Sequence, residues 1–181
     1  MKNPILVVSL LLLLCFVFGC QNKAEKAELE NLRAQAMLEG QNKAVVNRMW
    51  EAWNKGDFEA FKEVVAPEYV FYTPSRNTKP MSREETIEMG KAIHKGFPDV
   101  DFSIEELIAG EDKVVSRYIM RGTHQGEWAG IPPTGKKIEI SGIIVHRIEN
   151  GKVVEDREEW DSLGTMQQLG MELKPKEAEK K

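Results

Sequence analysis

The 181-residue chain is poor in the residues that build covalent, metal and nucleic-acid sites. Its two cysteines, Cys15 and Cys20, lie in or beside an N-terminal apolar run. They are too few for a disulfide framework or a cysteine zinc site. The three histidines, His94, His124 and His146, are far apart, and no histidine–carboxylate cluster has the spacing of metal ligands. A dedicated metal site is therefore not expected. There is no phosphate-binding Walker loop, no strand-linked dinucleotide fingerprint and no nucleophile elbow. Lys and Arg total 25 against 29 Asp and Glu, for a formal charge of −4. That balance, without any basic run, argues against a nucleic-acid partner. Internal repeats and Gly/Ser-rich linkers are also missing, so residues 42–173 are expected to form one domain.

The N-terminus is the most uneven part of the chain. Lys2 supplies a positive charge, and Ile5 to Phe18 is apolar except for Ser9. A spanning helix needs ~20 apolar residues, whereas this run has the length of a signal-peptide core. It ends in Leu-Cys-Phe-Val-Phe-Gly-Cys, with small Gly19 just before Cys20 and aliphatic Val17 three positions before it. The pattern resembles the lipobox of bacterial lipoproteins, although Phe18 is bulkier than the usual residue there. The resemblance implies cleavage after residue 19, a lipid on Cys20, and an extracytoplasmic domain anchored to a bacterial membrane. The alternative is an uncleaved N-terminal anchor, which leaves the domain tethered on the same side. Removing residues 1–19 takes away the cation Lys2 and makes the mature chain one unit more negative. No polybasic segment then assists the lipid.

Residues 20–41 are rich in Ala, Glu, Lys and Gln, with few large apolar side chains. They read as a partly helical, semi-rigid tether. Residues 174–181 read as a solvated, disordered tail. Between these ends, Val45, Val46, Met49, Trp50 and Trp53 recur at helical spacing and predict a helix ending at Lys55-Gly56. Asp57 is placed to cap a second helix, stopped by Pro67. Glu68 to Tyr72 reads as a short strand. Ser82 to Glu85 is a capping box that opens a third helix, with Met89, Ile93 and Phe97 on one face. After Pro98 the apolar period becomes two, predicting strands over 101–108, 113–123, 136–149 and 152–160. Asn150-Gly151 predicts a two-residue hairpin turn, and a last helical turn or two follows over 162–169. Helices first and antiparallel strands last imply an α+β domain, helices packed on a curved, mostly antiparallel sheet. Such a sheet, half covered by helices, encloses a cone-like pocket suited to a small apolar ligand.

Several segments are recognisable together: Gly-Thr-His-Gln-Gly-Glu-Trp-Ala-Gly-Ile-Pro-Pro-Thr-Gly-Lys-Lys over 122–137, Ile143 to Glu155, and Trp160 to Gly170. With Phe97-Pro98-Asp99 and the helix around Asn47 to Phe61, they resemble the SnoaL-like polyketide cyclase (ester cyclase) family of the nuclear transport factor 2-like superfamily. The resemblance covers the whole globular region. It implies a cone-like domain and cofactor-free ring closure: an acidic residue takes a proton from a C–H beside carbonyl groups, the enolate attacks a ketone, and the acid returns the proton. Asp161 aligns with the family's acid/base. This chain departs from the pattern at Asp156-Arg157-Glu158, where members commonly carry His-Trp-Asp, and at Tyr72, near which members carry a histidine.

The residues themselves offer a rival to Asp161. Alternation along the last strand puts Val154, Asp156, Glu158 and Trp160 on the more apolar side, so Glu158 is a second candidate acid/base. Asp161 precedes a short helix, where an aspartate also serves as a cap. His124, Arg117, Tyr72, Trp128 and Trp50 are candidate pocket residues, Arg117 because it shares a strand face with Val115 and Ile119. His146 reads as structural or interfacial. Two functions remain open: an enzyme of the cyclase or isomerase kind acting on a small hydrophobic carbonyl compound, or a lipid-anchored binding module for a small hydrophobic ligand. By analogy with the fold, Ile143, Val145 and Ile148 offer an apolar patch for a homodimer.

Overall fold

The structure is a computed structural model that describes residues 4–73 and 79–172, with side chains from Lys23 onward. The chain divides into two compact units, residues 1–38 and 39–181. The described residues of the first, 4–38, lie within helix α1 (Pro4–Lys55), whose Leu29, Leu32 and Met37 are exposed. No described helix is long and apolar enough to cross a membrane. The side chains of the expected signal segment and of the lipidation candidate Cys20, and the tail from residue 174, lie outside the described residues.

In the second unit, the end of α1 buries Val45, Val46, Met49, Trp50 and Trp53, as their spacing predicts. Its stop is a Schellman arrangement: Asp57 N–H reaches the Ala52 carbonyl, Gly56 N–H reaches that of Trp53, and Gly56 adopts φ +64°. Asp57 then caps α2 (Phe58–Val64) by accepting from Ala60 N–H at 3.0 Å. The chain continues directly into β1 (Val65–Tyr72), so Pro67 does not end the helix but sits within the strand. It is tolerated there because the ladder to the neighbouring strand is irregular between Val65 and Val70, where no proline N–H is called for. A two-residue strand, β2 (Met81–Ser82), precedes α3 (Arg83–Gly96). Both halves of the Ser82–Glu85 capping box are present.

The strands β3 (Asp101–Gly110), β4 (Lys113–Thr123), β5 (Lys137–Glu149) and β6 (Lys152–Trp160) follow, and α4 (Ser162–Gln168) closes the domain. The sheet order is β2-β1-β6-β5-β4-β3. Every pair is antiparallel except β1 with β6, which makes the sheet mixed. It curves under the helices without closing into a barrel. Asn150 and Gly151 both take positive φ, 51° and 73°, the requirement of the type I′ turn between β5 and β6.

Alternation divides the sheet into two faces. Val114, Ser116, Tyr118 and Met120 of β4 face the core, with Ile138, Ile140, Ile144, His146 and Ile148 of β5. Ile148 therefore lies in the core and not on the outer face with exposed Ile143, because it shares the parity of Ile144 and His146. The outer face is laced with cross-strand ion pairs such as Arg121–Glu139 at 2.8 Å.

Candidate active site

Helices α1 and α3 and the inner face of the sheet enclose a cavity of about 300 Å³. Its walls are mainly apolar and aromatic, with Trp50, Phe97, Phe102, Trp128 and Trp160 prominent. The period-two alternation of β6 also brings two carboxylates into the lining, Asp156 and Glu158. Carboxylates in such surroundings lose hydration and need partners.

Asp156, 2% exposed, has both oxygens engaged. Tyr69 from β1 donates to Oδ2 at 2.8 Å, and Oδ1 lies 2.7 Å from His146 Nδ1. A carboxylate only accepts, so Nδ1 carries the hydrogen, and in the neutral ring Nε2 is left to accept from the Ser116 hydroxyl at 2.7 Å. Ser116, His146 and Asp156 thus form the hydroxyl–imidazole–carboxylate chain of a hydrolytic triad. Ser116 and His146 are fully buried and line no part of the cavity. A nucleophile that no substrate reaches does no acyl transfer, and the chain serves to hold Asp156. Burial pushes the Tyr69 phenol well above its ordinary range, with the Asp156 charge and bond adding to it, so it stays a donor.

Glu158 differs. Among the described residues its one side-chain partner is the Tyr118 hydroxyl, which donates to Oε1 at 2.5 Å. Burial drives its carboxyl up to about 7; the Tyr118 hydrogen bond opposes the rise, and the charges of Asp156 and Glu159 add to it. A carboxyl poised there holds or releases a proton at neutral pH, the requirement for a general acid/base. Burial likewise raises the Tyr118 phenol far above its usual value, helped by the Glu158 charge, so Tyr118 remains a hydroxyl.

The remaining candidates are dispersed. Asp161 is exposed and caps α4, its Oδ1 accepting from Gly164 N–H at 2.7 Å; it is not among the cavity-lining residues. A Cβ at Gly164 would stand 2.0 Å from Asp161 Oδ2, so the glycine gives the cap its room. His124 is fully buried behind Phe97 (ring centroids 5.1 Å apart) and pins the loop before β5, its Nδ1 3.1 Å from Thr134 Oγ1. It does not line the cavity, and its Nε2 has no partner among the described residues. Arg117 lies on the outer face and pairs with Glu105, so it cannot clamp a ligand in the cavity. Val115 and Ile119 do share its face, but that face is the outer one. Tyr72 also stands outside the lining, stacked under the Arg157 guanidinium at 4.0 Å. Trp128 and Trp50 do line the cavity, and the buried Trp50 indole N–H lacks a partner among the described residues. No group of three or more His, Cys, Asp or Glu among the described residues is arranged to hold a metal.

Tyr118, Asp156, Tyr69 and Ser116 are absent from the candidates read off the sequence. Alternation placed Asp156 on the apolar side, and that parity was the one available signal. The tyrosines come from strands 40 and 87 residues away from their carboxylate partners.

Comparison with known proteins agrees with this architecture. The chain is 32% identical over 136 residues to aklanonic acid methyl ester cyclase AcmA of Streptomyces galilaeus, covering 70% of this chain and 89% of that one. Nogalonic acid methyl ester cyclase of Streptomyces nogalater is 29% identical over 131 residues, 67% of this chain and 92% of the relative. Among solved structures, IdmH of Streptomyces antibioticus superposes with a TM-score of 0.65 at 29% identity, over 72% of this chain and 99% of IdmH. An NTF2-like protein of Burkholderia pseudomallei, 17% identical, matches with a TM-score of 0.60 over 72% of this chain and 98% of its own, which speaks for the fold alone. The fold is nuclear transport factor 2-like. Residues 43–169 match the sequence profile of the SnoaL-like polyketide cyclases across nearly all of the second unit, and the chain belongs to that family.

Proposed function

We propose that the protein performs cofactor-free acid/base chemistry on a small hydrophobic carbonyl compound, an intramolecular aldol ring closure or a related isomerisation, with Glu158 as the acid/base. One observation carries this reading: a carboxyl held near 7 inside an apolar cavity. Ionised Glu158 takes the proton from a C–H beside a carbonyl, and the electron pair of that bond becomes the enolate. The enolate carbon bonds to a second carbonyl carbon, and the resulting alkoxide takes the proton back from Glu158. Atoms and charge balance without a co-reactant. The Trp50 N–H, without a partner among the described residues, offers a ligand oxygen a hydrogen bond. The cyclase relatives, whose names denote methyl esters, support carbonyl substrates of this kind.

The same proposal places the domain outside the cytoplasm, anchored through a lipid on Cys20, on the strength of the N-terminal pattern. Catalysis is separated from mere binding by α-hydrogen exchange of 2-tetralone, an apolar enolisable ketone, in heavy water. The proposal expects many exchange events per protein molecule. Saturable binding of 2-tetralone with exchange no faster than in buffer would replace the enzyme by a binding module.

A further inference from the structure

Gly142 lies mid-strand in β5, paired on both sides, with Tyr118 on β4 and Trp160 on β6. Glycine weakens a strand interior, and where it persists another group commonly needs the space. Gly142 is not among the positive-φ glycines, so backbone conformation does not call for it. Space does: a Cβ there would stand 2.4 Å from both Cζ and Oη of Tyr118. The sheet is thus hollowed at one residue to seat the phenol tip, the end that bonds Glu158. The rest of the ring is gripped by Trp50 and Phe102, with centroids 5.2 and 5.7 Å away. Tyr118 also lines the cavity.

We propose that Tyr118 is a second catalytic residue of this site, seated by Gly142: its hydroxyl turns from Glu158 to the substrate oxygen and stabilises the enolate as Glu158 takes the proton. This rests on the acid/base reading above. The C–H bond breaks, its pair delocalises onto the carbonyl oxygen, the proton goes to Glu158, and the phenol hydrogen bonds that oxygen without being transferred. Burial keeps the phenol protonated, as a donor to developing negative charge must be. Releasing Glu158 from its hydrogen bond at the same moment raises its proton affinity, since that bond favours the charged form. One motion then strengthens the base and fills the oxyanion site.

The test is 2-tetralone exchange against pH for the full protein, Tyr118→Phe, Gly142→Ala and Glu158→Gln. Glu158 is faced by Tyr118 from β4, by Tyr69 from β1 and by Asp156 and Glu159 of its own strand, so the base-limited limb reports on a defined set. Tyr118→Phe is expected to slow kcat roughly 100-fold, the scale of losing one oxyanion donor, and to move the midpoint of that limb upward. Gly142→Ala, with the tyrosine present but displaced, is expected to slow exchange in the same direction. A Tyr118→Phe protein that keeps its rate within threefold and its midpoint unmoved, while Glu158→Gln is inactive, overturns the role of Tyr118 and leaves that of Glu158 standing. Exchange by the unaltered protein no faster than buffer overturns both.

Discussion

Asp156 and Glu158 stand two positions apart on one face of β6, and their surroundings divide their labour. Asp156 has both oxygens bound, by Tyr69 and by His146, whereas Glu158 has a single side-chain partner among the described residues, Tyr118. The first carboxylate is held from two sides and the second is left free to exchange a proton. The Asp156 charge is among the causes that raise Glu158.

The elevated Glu158 carboxyl has a consequence for stability. Unfolded, it titrates in the ordinary carboxylate range; folded, near 7. Between those values the folded chain binds more protons than the unfolded one, so stability falls as pH rises through this window and stays lower above it. Glu158→Gln removes the effect. Urea unfolding is expected to show the variant more stable at pH 8, by up to about 3 kcal/mol, with little gain at pH 4.

Asp156→Ala removes the acceptor for two buried groups, the Tyr69 hydroxyl and His146 Nδ1. Leaving two buried donors without an acceptor costs about 1–3 kcal/mol apiece. A loss of about that size in urea unfolding is the expected result; a loss under 1 kcal/mol would mean that the chain from Ser116 to Tyr69 contributes little to the fold.

Much of the fold was legible because its signals are local. The strands at 113–123 and 152–160 follow from period two, and the turn at Asn150-Gly151 from residues that accept positive φ. Strand β2 was missed because two residues carry no period, and Pro67 misled because a bulge, invisible in sequence, absorbs it. The site was half legible. Parity placed Glu158 inward because the opposite set on β6 is almost all charged. On β4 both sets contain apolar residues, so alternation grouped Arg117 with Val115 and Ile119 but could not say which face is buried. The partners Tyr118 and Tyr69 depend on strand order across the sheet, which no local pattern encodes.

Asp161 is expected to act as a cap. Asp161→Asn should leave thermal stability nearly unchanged, because asparagine caps about as well, while Asp161→Ala should cost about 1 kcal/mol. Equal losses for both would point to a role for the charge beyond the bond to Gly164 N–H.

The proposed anchor has its own check. Cys20→Ala should abolish incorporation of a fatty-acid probe in bacterial cells and leave the precursor uncut. Equal labelling of variant and parent would remove the lipobox reading.

The proposed acid/base of the cavity is Glu158 and not Asp161, to which the family resemblance points. The direct measurement is 2-tetralone exchange at pH 7.5 by Glu158→Gln and Asp161→Asn, side by side with the parent. General acid/base catalysis is worth about 10²–10⁴-fold, so Glu158→Gln should lose at least about 100-fold, while Asp161→Asn stays within about threefold of the parent. The reverse pattern, with Asp161→Asn inactive and Glu158→Gln intact, would contradict the account.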